Sequence, residues 1–286
     1  MKRFLPIVLC LACACAVTCV SYDPHFDYLG ILRSGSGYSE HDSSENPVFT
    51  YQSPEEPELR ELRETFGLAA IAGNGDEFSR IAKLLGWVHD TIRHNGSVPM
   101  PPKRDALSIL RNGSKSGQNC RILSIVANEV FLAMGFKSRF VTCLPRDYST
   151  DCHVVVLVYL NSLEKWVFVD PSYEAWFTNE EGTPQSLEEI RERMIQGETL
   201  IINKEANYNN GPMDLDYLHY LSKNLYWFET PLDSRSGWDS KANGTRAVVR
   251  LYPLGYTSPV KQRKTSVIAS ENPRYFWQSP RLLPDQ

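Results

Sequence analysis

The hydrophobic positions of this chain follow two different periods. Between residues 76 and 94, Phe78, Ile81, Leu84, Leu85, Val88 and Ile92 recur at three- and four-residue steps. They draw one stripe and predict an amphipathic helix. The same mixed spacing joins Ile122, Leu123, Ile125, Val126, Val130 and Phe131 in a buried helix. Gly113, Ser114, Ser116 and Gly117 cannot sustain that helix upstream, so Asn119 becomes its N-cap and Gly135 its left-handed stop. The period then shortens. Residues 154–160 and 166–169 are almost wholly apolar and read as strands, with residues 161–164 as the turn between them.

Weaker patterns fill in the remainder. Ser53 and Pro54 predict a helix through Phe66, with serine as cap and proline at the first helical position. A short helix over residues 105–110 delivers the chain to the Cys120 turn. Further on, Ser186 caps an amphipathic helix ending at Gln196, and residues 207–212 form a turn cluster. Residues 214–225 carry Leu215, Leu218, Leu221 and Leu225 in another helix, and residues 247–252 read as a strand.

Register brings chemistry into this outline. A two- or four-residue loop after Leu160 pairs Leu160 with Lys165, and hence Val155 with Asp170. His153 lies two residues from Val155 and shares its face, so His153 and Asp170 become diagonal neighbours about 7–8 Å apart at Cα. Cys120 falls in the first turn of its helix, where the macrodipole favours thiolate over thiol. A small buried filler would sit more naturally mid-helix. Nucleophilic acyl chemistry by a thiol uses these three residue types. Gln118 is a candidate oxyanion donor, as is the backbone amide of Cys120; a simple turn role accounts for Gln118 equally well.

With these residues in place, the segment over about residues 80–173 resembles the transglutaminase-like branch of the papain-like cysteine enzymes. The likeness rests on a cysteine opening a helix, then Gly-Phe-Lys-Ser-Arg-Phe-Val as a first strand. A histidine opens the second strand, and Trp-Val-Phe-Val-Asp-Pro-Ser ends the third. Cys120, His153 and Asp170 match the nucleophile, base and orienting acid one by one. The resemblance implies an α+β fold, with the nucleophile helix packed on an antiparallel sheet. It also implies a thiol acyl-transfer site, in a family that includes members without catalysis.

Composition narrows the setting. The 286 residues, 42% of them hydrophobic, suffice for a full core. A formal net charge of −4 without a basic block argues against nucleic acid as a partner. Cys143 and Cys152 flank a loop that, folded as a hairpin, sets them opposite each other. In an oxidising compartment that predicts a disulfide. A zinc site from Cys120, Cys143, Cys152 and His153 is disfavoured, because adjacent strand residues point apart and no paired-cysteine spacing exists. No metal or cofactor is expected. His89, His94 and His219 read as helix-surface residues. Trp227, Phe228, Trp238, Tyr252 and Tyr256 read as core and sheet packing.

The N-terminus is distinct. Lys2 and Arg3 precede an apolar stretch over residues 4–17, the layout of a secretory signal over residues 1–19. It resembles a bacterial lipoprotein signal, with Cys19 as the lipidated residue. Cys13 and Cys15 also follow alanine, and cleavage without lipid after Ala14 or Ala16 is the other reading. Residues 20–53, rich in Ser, Gly and Asp, predict a flexible arm. Residues 54–286 form the domain, with its core over about 76–173 and an α/β extension behind it. The expectation is an exported cell-envelope hydrolase, lipid-anchored to a membrane, that cuts peptide, protein or amide substrates through Cys120, His153 and Asp170. Amine transfer, or a catalytically silent peptide- or glycan-binding cleft, are the alternatives.

Overall fold

The structure is a computed structural model that describes residues 22–35, 37–41, 47–113, 115–147, 151–213, 216–240, 246–258 and 266–280. The segment expected to be a signal, residues 1–19 with Cys19, lies outside the described residues. In chain order the elements are α1 (Tyr28–Ser34), β1 (Thr50–Tyr51), α2 (Pro57–Thr65), α3 (Leu68–Ala72), α4 (Glu77–Thr91), α5 (Ala106–Asn112) and α6 (Cys120–Ala133). Then come β2 (Ser138–Leu144), β3 (His153–Leu160), β4 (Lys165–Val169), β5 (Phe177–Thr178), α7 (Leu187–Gln196) and β6 (Ile201–Ile202). The last are α8 (Tyr217–Asn224), β7 (Trp227–Pro231), β8 (Asp233–Ser234), β9 (Ala247–Leu251), β10 (Ser266–Ser270) and α9 (Pro273–Phe276).

A six-stranded sheet in the order β10-β9-β7-β2-β3-β4 carries the fold, antiparallel except for the β10–β9 pair. Its central strands are apolar without alternation because both faces are covered. Val154, Val156 and Val158 of β3 pack with α2, α4, α5 and α6 through residues such as Leu59, Leu84, Ile109 and Val126. Val155 and Leu157 face the other way, onto Leu32 of α1, Ile190 of α7, Leu221 of α8 and Phe276 of α9. All eight residues of β3 are buried. Strands β7, β9 and β10 extend this same sheet, so the region after residue 173 completes one core in common with residues 76–173.

Several local expectations meet their physical causes here. Leu160 pairs with Lys165 as the loop length required. Helix α6 starts at Cys120 under an Asn119 cap, and Gly135 follows it with φ of 84°. Helix α2 begins at Pro57, not Pro54. A helix begun at Pro54 would need the Pro57 N–H for its first internal bond, and proline has none. Helix α4 stops at Thr91, and Ile92 is extended with φ −126° and ψ 107°, which takes His94 off the helix.

Two expectations are corrected. Cys143 and Cys152 are free thiols. The β2–β3 hairpin pairs Cys143 with His153, one residue out of the register a disulfide needs. A slip of one residue sends neighbouring side chains to opposite faces. Cys143 is fully buried beside Val141 and Val155, whereas Cys152 packs near Leu144 and Trp227. The predicted flexible arm contributes core. Asp27 caps α1 by accepting from the Gly30 N–H at 2.8 Å, Leu32 is fully buried, and Phe49 is 5% exposed. Arg33 Nε donates to Ile195 O at 2.9 Å, and Arg191 Nη2 donates to Gly35 O at 3.2 Å, fastening α1 to α7.

This packing makes α1 part of the stable fold. Leu32→Ala removes a fully buried leucine side chain, a change that costs about 2–5 kcal/mol. The thermal midpoint, followed by circular dichroism, should fall by on the order of 5–10 °C. An unchanged midpoint would show that α1 does not contribute to the core.

Candidate active site

The N-terminus of α6 is built from short-range constraints. Asn119 Oδ1 accepts the Ile122 N–H at 3.1 Å and fixes the first turn around Cys120. Just upstream, the Gln118 N–H donates to Arg93 O at 2.9 Å, and Gln118 O accepts from the Asn95 N–H at 2.7 Å. This close approach requires Gly117, with φ of 80°, because a Cβ there would lie 2.6 Å from Arg93 O. Gln118 thus stands two residues ahead of the thiol, and its side-chain Oε1 is buried without a hydrogen-bond partner.

The imidazole and the carboxylate come from adjacent strands. His153 opens β3 at 2% exposure, and Asp170 follows β4 fully buried. His153 Nε2 is hydrogen-bonded to Asp170 Oδ2, the diagonal meeting that the register predicts. The Tyr217 hydroxyl donates to that same oxygen, and the Ser172 N–H donates to Oδ1 at 2.8 Å. The Asp170 backbone is pinned as well, through Asp170 N–H to Ala175 O at 2.8 Å and Ala175 N–H to Asp170 O at 3.1 Å. With Nε2 committed to Asp170, Nδ1 is the His153 nitrogen left for Cys120, whose charge is among the causes that raise the ring.

Electrostatics at this cluster run against simple burial. Burial pushes the Cys120 thiol up, but its interactions with His153 and His94 outweigh it and bring the thiol down to about 6. For His153 burial opposes the charged ring, yet the Asp170 charge and hydrogen bond raise it to about 10. Burial would likewise raise Asp170; the His153 charge, with hydrogen bonds from His153, Tyr217 and Ser172, holds it below the usual carboxylate range. Both shifts favour the proton on the imidazole and the negative charge on the sulfur. Cys152, raised by burial to about 12, and Cys143, raised further by burial, stay as thiols.

Aromatic rings from distant segments wall the imidazole. Tyr220 meets the His153 ring edge-on at 5.3 Å, and Tyr173 does so at 6.0 Å. Lys223 of α8 pairs with Asp151, two residues before His153. Behind Tyr220, the chain enters the described fold. Tyr22 Oη lies 2.7 Å from His219 Nδ1, and the Tyr22 ring is edge-on to Tyr220 at 5.6 Å. His219, expected at the surface, is thus a half-buried junction with the N-terminal segment.

The two α4-region histidines are corrected too. His89 is 3% exposed, with Nδ1 at 3.0 Å from Pro171 O and Nε2 at 2.9 Å from Asn207 Oδ1. It buttresses the loop that carries Asp170. His94 lies in the extended stretch after α4, bridged to Gln118, and is among the groups that lower the Cys120 thiol. The one signal for this in the sequence is the Thr91-Ile92 pair, whose β-branched side chains weaken the helix end. Tyr217, Tyr220 and Tyr208 carry no local signal of their role. Among the described residues, no three His, Cys, Asp or Glu side chains group to hold a metal.

Residues 65–171 match the family model of the transglutaminase-like superfamily. No curated protein shows significant similarity to the chain. Among solved structures, a candidate cysteine protease from Cytophaga hutchinsonii aligns at 12% identity and a TM-score of 0.34, over 55% of this chain and 51% of that one. A candidate protease from Parabacteroides distasonis aligns at 13% identity and a TM-score of 0.29, over 51% of this chain and 36% of that one. The chain thus spans about half the length of the first and about a third of the second.

The charge state has a direct readout. A thiol lowered to about 6 is ionised above that pH, so iodoacetamide should alkylate Cys120 with a rate that rises through pH 6 and then levels. The free value is about 8.5. Cys143 and Cys152, both raised, should remain unlabelled at pH 7. His153→Ala should move the Cys120 midpoint upward, since the imidazolium is lost. A wild-type midpoint near 8.5 would contradict the ion pair.

Proposed function

We propose, from the match of residues 65–171 to the family model of the transglutaminase-like superfamily, that the protein is a thiol hydrolase of peptide or amide bonds. Cys120, His153 and Asp170 are its triad. The observation that carries this reading is the thiol lowered to about 6 beside an imidazole raised by a buried carboxylate. A silent binding cleft has no use for that arrangement, which costs burial of three ionisable groups. Cys120 is also partly accessible, as a nucleophile must be.

In the proposed reaction the Cys120 thiolate attacks the substrate carbonyl carbon, and the electron pair of the C=O bond moves onto oxygen. The Cys120 backbone N–H and the Gln118 amide receive that oxyanion. Collapse breaks the C–N bond, and His153 gives its Nδ1 proton to the leaving amine. A water molecule then attacks the thioester, His153 takes its proton, and the C–S bond breaks to return the thiolate. Asp170 keeps Nε2–H engaged, and so keeps Nδ1 facing the sulfur throughout. Water is the acceptor in this reading because it needs no further site. The Lys2-Arg3 start, the apolar stretch and Cys19 support export with a lipid anchor in a bacterial envelope.

A peptide mixture incubated with the protein and analysed by mass spectrometry should gain new N-termini, and Cys120→Ala should gain none. Asp170→Asn should raise the Cys120 alkylation midpoint, though less than His153→Ala does, and should lower turnover by a factor on the order of 10⁴, because the tautomer is mis-set. Incorporation of a labelled primary amine into glutamine side chains, without cleavage, would replace hydrolysis by transfer.

A further inference from the structure

The proposed triad leaves one imidazole beside the thiol unused. His94 is fixed there by its backbone and by its ring. Its N–H donates to Asn209 Oδ1 at 2.7 Å, and its carbonyl accepts from Asn209 Nδ2 at 3.1 Å. Asn209 itself holds a left-handed φ of 54°, which asparagine tolerates better than most residues. On the other side His94 forms a parallel bridge with Gln118, two residues from Cys120. Its ring is clamped in turn. Nδ1 lies 3.0 Å from the Tyr208 hydroxyl, the two rings meet edge-on at 5.5 Å, and Tyr173 is 6.5 Å away.

From this geometry we infer that His94 is a second catalytic residue, donating an Nε2–H hydrogen bond to the Cys120 sulfur, with Tyr208 fixing the tautomer that makes this possible. The inference rests on the reading of Cys120 as a nucleophile. With Nδ1 occupied by Tyr208, Nε2 is the ring nitrogen left for the sulfur. A tyrosine hydroxyl that donates to Nδ1 obliges the ring to carry its hydrogen on Nε2. The groups that face Cys120 are then His153 and His94, with Tyr173, Tyr220, Cys143 and Cys152 around them.

The two imidazoles divide the work. His153 shuttles the proton between water, leaving amine and sulfur; His94 keeps its hydrogen. Its bond is strongest where sulfur bears negative charge, in the resting thiolate and again as the thioester C–S bond breaks and the pair returns to sulfur. It is weakest in the neutral thioester between them. His94 therefore favours expulsion of the thiolate in the water step, a role separate from proton transfer.

The test reads the sulfur directly. Iodoacetamide alkylation of Cys120 is followed against pH in the full chain and in three variants, with thermal melting to confirm folding. His94→Phe should raise the midpoint by about one to two pH units, the worth of one hydrogen bond to a charged group. His94→Gln, which retains an N–H donor, should restore most of that shift. Tyr208→Phe should raise the midpoint by a smaller amount, and it reads the same contact should His94→Phe fail to fold. A folded His94→Phe, or failing that a Tyr208→Phe, with the wild-type midpoint overturns the inference while His153→Ala still shifts it. If the wild type itself titrates near the free value of about 8.5, it is the triad that fails.

Discussion

Asp170 carries a negative charge with no exposed surface, and the rest of the site is arranged around keeping that charge solvated by protein. Three donors do so: His153 Nε2–H, the Tyr217 hydroxyl and the Ser172 N–H. They come from β3, from α8 and from the turn after β4, so the charge ties together segments nearly fifty residues apart. Removal of any one donor leaves a buried lone pair unsatisfied, at about 1–3 kcal/mol or more for a charged group. The same field holds the proton on His153, and the charge on His153 in turn lowers Cys120. The reactivity of the sulfur is thus set two residues away from it in space, at a carboxylate that never meets solvent.

That carboxylate can be buried because the sheet is covered twice. Strand β3 packs α6 on one face and α7 and α8 on the other, so every residue of the strand has a prescribed direction. A strand with a solvated face would tolerate slippage, whereas a slip here would exchange the two cores wholesale. The elements beyond residue 173 are therefore indispensable to the site. Helix α8 supplies Tyr217 and Tyr220, and the segment before it supplies Tyr208.

What was legible in the sequence was what local physics decides. The cap at Asn119, the stripe along α6 and the loop length between β3 and β4 each involve neighbours, and together they put Cys120 at a helix start and His153 diagonal to Asp170. Failures occurred where the deciding contact was distant or the register was loosely specified. The Cys143–Cys152 loop admits two registers, and the one the structure adopts sends the thiols to opposite faces. Ile92 continues the stripe and so places His94 on a helix surface, whereas the extended Ile92 backbone and the bridge to Gln118 take it into the site. Residues 20–53 have the composition of a tether, yet Leu32 and Phe49 within them are buried in the core. Bulk composition averages over the very residues that do the packing.

The N-terminal docking of Tyr22 has a mechanical meaning. The contacts run in series from Tyr22 to Tyr220 and from Tyr220 to the His153 ring, with His219 bracing the first link. The N-terminal entry of the described fold and the wall of the imidazole therefore share one helix: whatever displaces Tyr22 acts on Tyr220 and, through it, on the ring of His153.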